Sequence, residues 1–406
     1  MNILVWLGNR NMHPAIYPNM KSLAEAFALM GHQVITCDTA NEGEILAAIS
    51  LLRDEKIIDL SIGANAMGMK FILDAGETWE IYKDLDTLHI SILLDEPFNP
   101  ACNGYQHIAK RHLLTYLERT DKDFFSRMQI AEGKYKLFMP LGGTGSGRSL
   151  EELWEHKRNS PYDVVFSAGK FSLCRDWPDW TEYGASPAMT GILDDVLSLL
   201  QQEPVSITEA AHKVLTSRNM EENVYFCVVA SFFPLVLAYI KDWRRRRVLE
   251  ELLAAGIAVD IFGDGWEKGD FSGKAKLHGR VPYEEMVEVT AQAKIVVNDE
   301  ACFNNGAHDR VFTAMLNGAV VVSEYSTYLA EEFADGQDLF LFDWRHIREQ
   351  LQVIPKLLRD DGLREKIAAG AYAKAAQRHT WQQRAKRLLE AAEMLEFKRK
   401  LEAGKS

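Results

Sequence analysis

The residues of this chain best suited to chemistry lie between Lys294 and Ser323, KIVVNDEACFNNGAHDRVFTAMLNGAVVVS. An imidazole (His308) and a guanidinium (Arg310) stand where a helix is about to begin. A helix N-terminus offers unpaired N–H groups and partial positive charge, and an arginine adds a fork of donors. Together these are the means to hold a diphosphate and to neutralise it as a bond to phosphate breaks. The rival reading is structural: Arg310 pairs with Asp309 or a neighbouring carboxylate, and His308 caps the helix.

Further groups could take part. Asp95 and Glu96, followed by Pro97-Phe98, close a buried run, and a carboxylate held there can deprotonate a hydroxyl or cap a turn. His13 lies in the loop Gly8–Pro18, and a near-neutral imidazole suits the same task. Lys170 and Arg175 follow Ser167-Ala168-Gly169 as further phosphate candidates. Gly263, in Gly263-Asp264-Gly265-Trp266, allows close backbone approach, and Val281 and Tyr283 could hold a flat base. No metal site is expected. Asp84-Leu85-Asp86 precedes a strand rather than following one, and there is no H-x-x-x-H or cysteine–histidine cluster.

These residues need a frame. Around Arg310 the pattern reads strand (Ile295–Val297), polar turn (Asn304-Asn305-Gly306), helix closed by Gly318, then strand (Ala319–Val322). The first 140 or so residues alternate strand and helix in the same way, which implies a doubly wound parallel sheet. A glycine-dense stretch, Gly142–Gly147, lacks the G-K-[ST] of a phosphate loop and reads as linker. A second alternating unit starts at Asp163–Ser167, and polar amphipathic helices end the chain. The expected division is 1–145, a linker 146–160, a second domain 161–380, and a last helix 381–406 that turns back onto the first domain.

At 406 residues and 47% hydrophobic, the chain can build two cores. A net charge of −12 argues against general nucleic-acid binding. Five scattered cysteines without a C-x-x-C pair, and a start that reads as a β-strand, suggest a cytoplasmic protein. Val224–Ile240 is uncharged over 17 residues but contains Pro234, so a buried helix or helix pair is expected, with peripheral membrane contact kept open. The run Arg244–Arg247 is expected to open a solvated helix, Trp243–Ala255, with a role at phosphate or anionic lipid undecided.

The Asn305–Gly318 segment resembles the donor-binding core of GT-B glycosyltransferases, in particular the bacterial CgeB-like branch of the group 1 transferases. That branch shows "nG.H.RvF.AM..Ga.vv" and then "yL.eeF.dg", matched here by Tyr328–Gly336. Its "vdvyG.gW" and "hG.v.y.e" correspond to Val259–Trp266 and His278–Glu285, "D.Pf" to Asp95–Phe98, and "HTW..Ra" to His379–Ala385. The resemblance implies an α/β fold of two Rossmann-like domains facing a cleft. It also implies transfer of a sugar, hexosyl in type, from a nucleoside-diphosphate donor, with UDP the guessed nucleotide. The acceptor would be a protein, a polysaccharide precursor or another surface glycan, and the transfer would be metal-independent. Large retaining GT-B families carry two glutamates eight residues apart. Those slots fall here on Asn305 and Thr313, neither acidic, so that pair is not carried over; with Gly306 they remain donor-side candidates. An inverting displacement with Asp95 or His13 as base is the expected mechanism. A sugar-nucleotide epimerase, or a non-catalytic nucleotide- or glycan-binding protein of the same fold, is the alternative.

Overall fold

The computed structural model describes residues 1–12, 15–72, 78–99, 102, 104–170, 177–266, 271, 275–300 and 302–403. The first domain carries β1 (Asn2–Gly8), α1 (Ile16–Leu29), β2 (Gln33–Asp38), α2 (Glu42–Arg53) and β3 (Leu60–Ala64). A small antiparallel pair, β4 (Lys70–Ile72) and β5 (Thr78–Glu80), follows. Then come β6 (Leu88–Ile92), β7 (His112–Tyr116), α3 (Asp121–Arg127) and β8 (Tyr135–Phe138). Its sheet runs β2-β1-β3-β6-β7-β8 with every pair parallel. Its inner strands β1, β3, β6 and β7 are buried on both faces, as a covered parallel sheet requires, while the edge strands β2 and β8 are half-buried.

The second domain contains α4 (Leu150–Arg158) and β9 (Val164–Ser167), then four helices: α5 (Pro187–Gln202), α6 (Ile207–Ser217), α7 (Glu222–Ala230) and α8 (Phe233–Ala254). It continues with β10 (Val259–Phe262), β11 (Ala275–Gly279), α9 (Tyr283–Gln292), β12 (Ile295–Asn298), α10 (Asp309–Leu316) and β13 (Val320–Glu324). After α11 (Thr327–Glu332) and β14 (Phe340–Phe342) come α12 (Ile347–Gln350), α13 (Val353–Arg359), α14 (Asp361–Arg378) and α15 (Trp381–Ala403). This sheet, β11-β10-β9-β12-β13-β14, is also wholly parallel.

The uncharged run in the middle of the chain divides just before Pro234, which sits in the first turn of α8, where its missing N–H costs nothing. The apolar stretch is a pair of helices, α7 and α8, bent by 64°, and no single described helix is long and apolar enough to cross a membrane. One expectation for this region needs correction: the arginines do not open a solvated helix at Trp243. They lie in the middle of α8, and Arg244 is fully buried.

The chain passes between domains twice, and the two crossings lie side by side. Gly143 N–H donates to His379 O at 2.8 Å, and Gly143 pairs with Thr380 in a parallel bridge. His379 is buried and stacks on Phe312 of α10, centroids 4.3 Å apart and nearly coplanar. Beyond this point, Trp381, Ala385, Leu388 and Ala392 of α15 join the core of the first domain. The glycine-dense stretch is clamped: Thr144 N donates to Thr313 Oγ1 (3.1 Å), and Ser146 N to Asn317 Oδ1 (2.8 Å). A Cβ on Gly143 would lie 2.6 Å from Phe312 carbon, so the crossing can sit this close to α10 only as glycine.

A second seam joins the loops after β7 and β12. Glu118 pairs with Gly306 in an antiparallel bridge, and Glu118 Oε2 accepts the Asn305 N–H at 2.6 Å. Arg119 makes a forked pair with Glu331 at 2.7 and 2.6 Å. A Cβ at Gly306 would lie 1.9 Å from Leu117 O. Gly306→Ala is therefore expected to push the seam apart and cost ~1–3 kcal/mol, read from urea unfolding, with no change in helix content.

The buried titratable groups set a pH dependence. Burial holds His89 and His379 down to about 3, and His112 to about 2. Below their ordinary value of ~6.5 the unfolded chain takes up protons that the folded chain refuses, so stability falls by up to ~1.4 kcal/mol per pH unit per histidine. Burial pushes Glu96 and Glu118 up to about 7, which works the other way: stability is gained as pH falls from about 7 towards 4.5. The urea midpoint should thus change little between pH 7 and about 4.5 and fall steeply below it.

Candidate functional site

The carboxyl ends of the second sheet gather the polar groups. β12 ends in Asn298 and runs into Asp299-Glu300, both fully buried. Asp299 sits between two arginines: Arg245 Nε lies 3.3 Å from Oδ2, and Arg310 Nη2 lies 3.2 Å from Oδ1. Burial favours its neutral form, but the paired guanidinium charges of Arg245 and Arg310 outweigh that and hold the carboxyl well below the usual range. Arg310 also donates to Ser167 O and, at 2.8 Å, to Asp299 O; Arg245 also donates to Gly169 O. Two guanidinium groups thus converge on one carboxylate where β9 and β12 end, with the Asp309 carboxylate close to Arg310.

The loop carrying Arg310 rests on a buried network. Arg244 Nη1 pairs with Glu324 Oε1 at 2.9 Å, both side chains fully buried. The same oxygen accepts from Asn304 Nδ2 (2.9 Å) and Trp344 Nε1 (2.8 Å), and Oε2 accepts the Glu300 N–H (3.0 Å). Glu300 accepts the His308 N–H at 2.8 Å and the amide of Asn298 at 2.7 Å. Burial, with the adjacent Glu324 adding to it, pushes Glu300 well above the ordinary carboxyl range. Inside this loop Cys302 takes φ +78°, a strained value for a non-glycine residue that the surrounding bonds hold in place.

The sequence-derived residues divide. Tyr283, Thr313 and Arg310 line one pocket between α9, α10 and the sheet, together with Ser167, Asn298 and Asp309. Tyr283 OH donates to Thr144 Oγ1 (2.9 Å), so this wall is tied to the crossing segment. His308 is the N-cap of α10, with Nδ1 2.7 Å from Asp309 Oδ1. Gly263, at φ +142°, lies against Ala168 O, and its N–H donates to Gly279 O at 2.8 Å, with Val281 close beyond in the chain. Lys170 N donates to Asp264 O at 2.8 Å, and its ammonium stands 5.9 Å over the Trp266 ring.

Asn305 and Gly306, donor-side candidates by sequence, are held by protein groups. Both belong to the interdomain seam. The Asn305 amide is occupied at both ends, by Glu209 Oε2 at 2.8 Å and Thr327 Oγ1 at 2.9 Å. Across the cleft, Asp95 is partly exposed, while Glu96 is buried with no hydrogen bond to either oxygen among the described residues. Lys241, from α8 of the other domain, reaches them at 4.0 and 3.5 Å. His13 and Arg175 lie outside the described residues. Asp299, Glu300, Glu324 and Lys241 escaped the sequence reading, and Arg245 entered it only as part of the run Arg244–Arg247, whose role at phosphate was left undecided. The signal available was weak: two acids directly after a buried strand, and an arginine run with no visible partner. Among the described residues, no cluster of three or more His, Cys, Asp or Glu could hold a metal ion.

Residues 244–390 match the family model described as glycosyl transferase-like. No curated protein matches the chain. Among solved structures, an alpha-glucosyltransferase in complex with UDP-glucose and DNA containing an abasic site superposes with a TM-score of 0.54 at 10% identity, over 97% of this chain and 99% of that one. AviGT4, a glycosyltransferase involved in avilamycin A biosynthesis, superposes with a TM-score of 0.50 at 13% identity, over 97% of each chain. At such identities the likeness is one of fold, and that fold is GT-B.

Removing Glu324 would leave the Arg244 charge buried without a partner. Glu324→Leu is expected to cost ~3–5 kcal/mol in urea unfolding, and Arg244→Met with Glu324→Leu less than that, because no lone charge remains.

Proposed function

We propose, from the premise that a glycosyl transferase-like segment sits in a GT-B fold, that this chain transfers a hexosyl group from a nucleoside-diphosphate sugar, UDP being the nucleotide to test first. The observation that carries the reading is the convergence of Arg245 and Arg310 on Asp299, beside the N-terminus of α10, where the second sheet opens on the cleft. Fixed cations and aligned N–H groups stabilise charge that builds on a leaving diphosphate, and being already in place they need no reorganisation. In this reading they serve a metal-independent departure of the nucleotide. Tyr283, Val281 and Gly263 stand on the base side, and Lys170 on the phosphate side.

Asp95, exposed to the cleft at the end of β6, is the base assigned to the acceptor hydroxyl, with Lys241 opposite it. A displacement led by that carboxylate inverts the anomeric centre. The acceptor is a protein or surface-glycan precursor in this reading, which follows the CgeB-like resemblance of the Asn305–Gly318 segment and the cytoplasmic placement that its cysteines suggest.

The test is calorimetric titration with UDP, GDP, dTDP, CMP and ADP in the absence of divalent ions. One nucleoside diphosphate should bind, and Arg310→Ala should weaken it at least tenfold while Asp95→Asn leaves it unchanged. Binding by none, or full affinity in Arg310→Ala, would sink the placement of the donor.

A further inference from the structure

His308 Nδ1 faces two partners that make opposite demands. The Arg310 N–H, 3.3 Å away, needs a lone pair there; the Asp309 carboxylate, 2.7 Å away, needs a proton. One nitrogen cannot satisfy both. The contact with the carboxylate is the shorter and the charge-assisted one, so it takes the proton. Two consequences follow from that choice. The Arg310 amide is left as an open donor at the start of α10, beside its own guanidinium. The basic nitrogen of the ring becomes Nε2, on the edge away from Asp309, and the side chain is 30% exposed while Asp309 is only 10% exposed.

We propose that Asp309 is a positioning residue that fixes His308 as the Nδ1–H tautomer, so that Nε2 accepts a hydrogen bond from a hydroxyl of the donor's sugar. This deepens the donor reading given above and rests on it. The charged groups facing the ring are Asp309 and Arg310 on α10 and Asp299 at the end of β12; Glu300 holds the backbone N–H of His308. Burial, and the Arg310 charge after it, hold the imidazole below its ordinary range, so at neutral pH it is uncharged. A neutral ring bearing a lone pair on Nε2 repels phosphate oxygens and attracts hydroxyl protons. The division of labour is then clear: Arg310 and the helix amides serve the diphosphate, and His308 the sugar.

The tautomer can be read directly. In protein labelled with ¹⁵N-histidine, long-range ¹H–¹⁵N correlation distinguishes protonated from bare ring nitrogens, and His308→Gln identifies the signal. The expected result at pH 7 is Nδ1–H with a bare Nε2. Asp309→Ala should lose that preference, and Asp309→Asn, which keeps an acceptor oxygen, should retain it. In calorimetry Asp309→Ala should lose about tenfold more affinity for UDP-glucose than it loses for UDP. Nε2–H or a doubly protonated ring in the native protein overturns the inference, even where UDP binds. UDP-glucose binding no tighter than UDP overturns the sugar contact. If neither ligand binds, the donor reading fails and takes the sugar contact with it, whatever the tautomer.

Discussion

Everything at this site depends on one buried ion pair. Arg244 and Glu324 are both fully removed from water, and a charge so placed is tolerable only with its partner and a full set of hydrogen bonds. Glu324 spends its two oxygens on Arg244, Asn304, Trp344 and the Glu300 backbone. That fixes the loop between β12 and α10 at both ends, including the strained Cys302. His308 and Arg310 then have little freedom left. Their precision comes from beneath, not from the α10 sequence.

The same logic explains why two neighbouring arginines do different work. Arg244 points into the protein and carries the loop, while Arg245, one step round the helix, reaches Asp299 and the strand end. A helix advances about 100° per residue, so adjacent side chains serve different faces. What looks in sequence like one block of charge is a structural residue next to a site residue.

Much of the frame could be read from the chain. The strand at Ile295–Val297, the turn, the bounds of α10 and Gly318 at φ +67° after it all follow from local pattern. Local pattern failed where the deciding partner is distant. The partner of Arg244 lies 80 positions on, at Glu324, and no periodicity points to it. Asn305 carried the signature of a turn and was placed near the ligand, but its amide answers to Glu209 and its backbone to Glu118, both far away in sequence. The pair β4 and β5 was too short to show alternation, and β11 alternates half-buried and exposed residues at a sheet edge, which hid it. Asp299 was invisible for a related reason: an acid after a strand is ordinary until two arginines are found on it.

The suture between the crossing segment and α10 has a mechanical meaning. Thr144 is bonded at once to Thr313 of α10, to Asn317 at its end and, through its hydroxyl, to Tyr283. The residues about which one domain must pivot on the other are thus fastened to the wall of the pocket itself. Any turn of one domain on the other at this crossing would carry Thr313, Asn317 and Tyr283 with it, so the pocket wall and the crossing would move together.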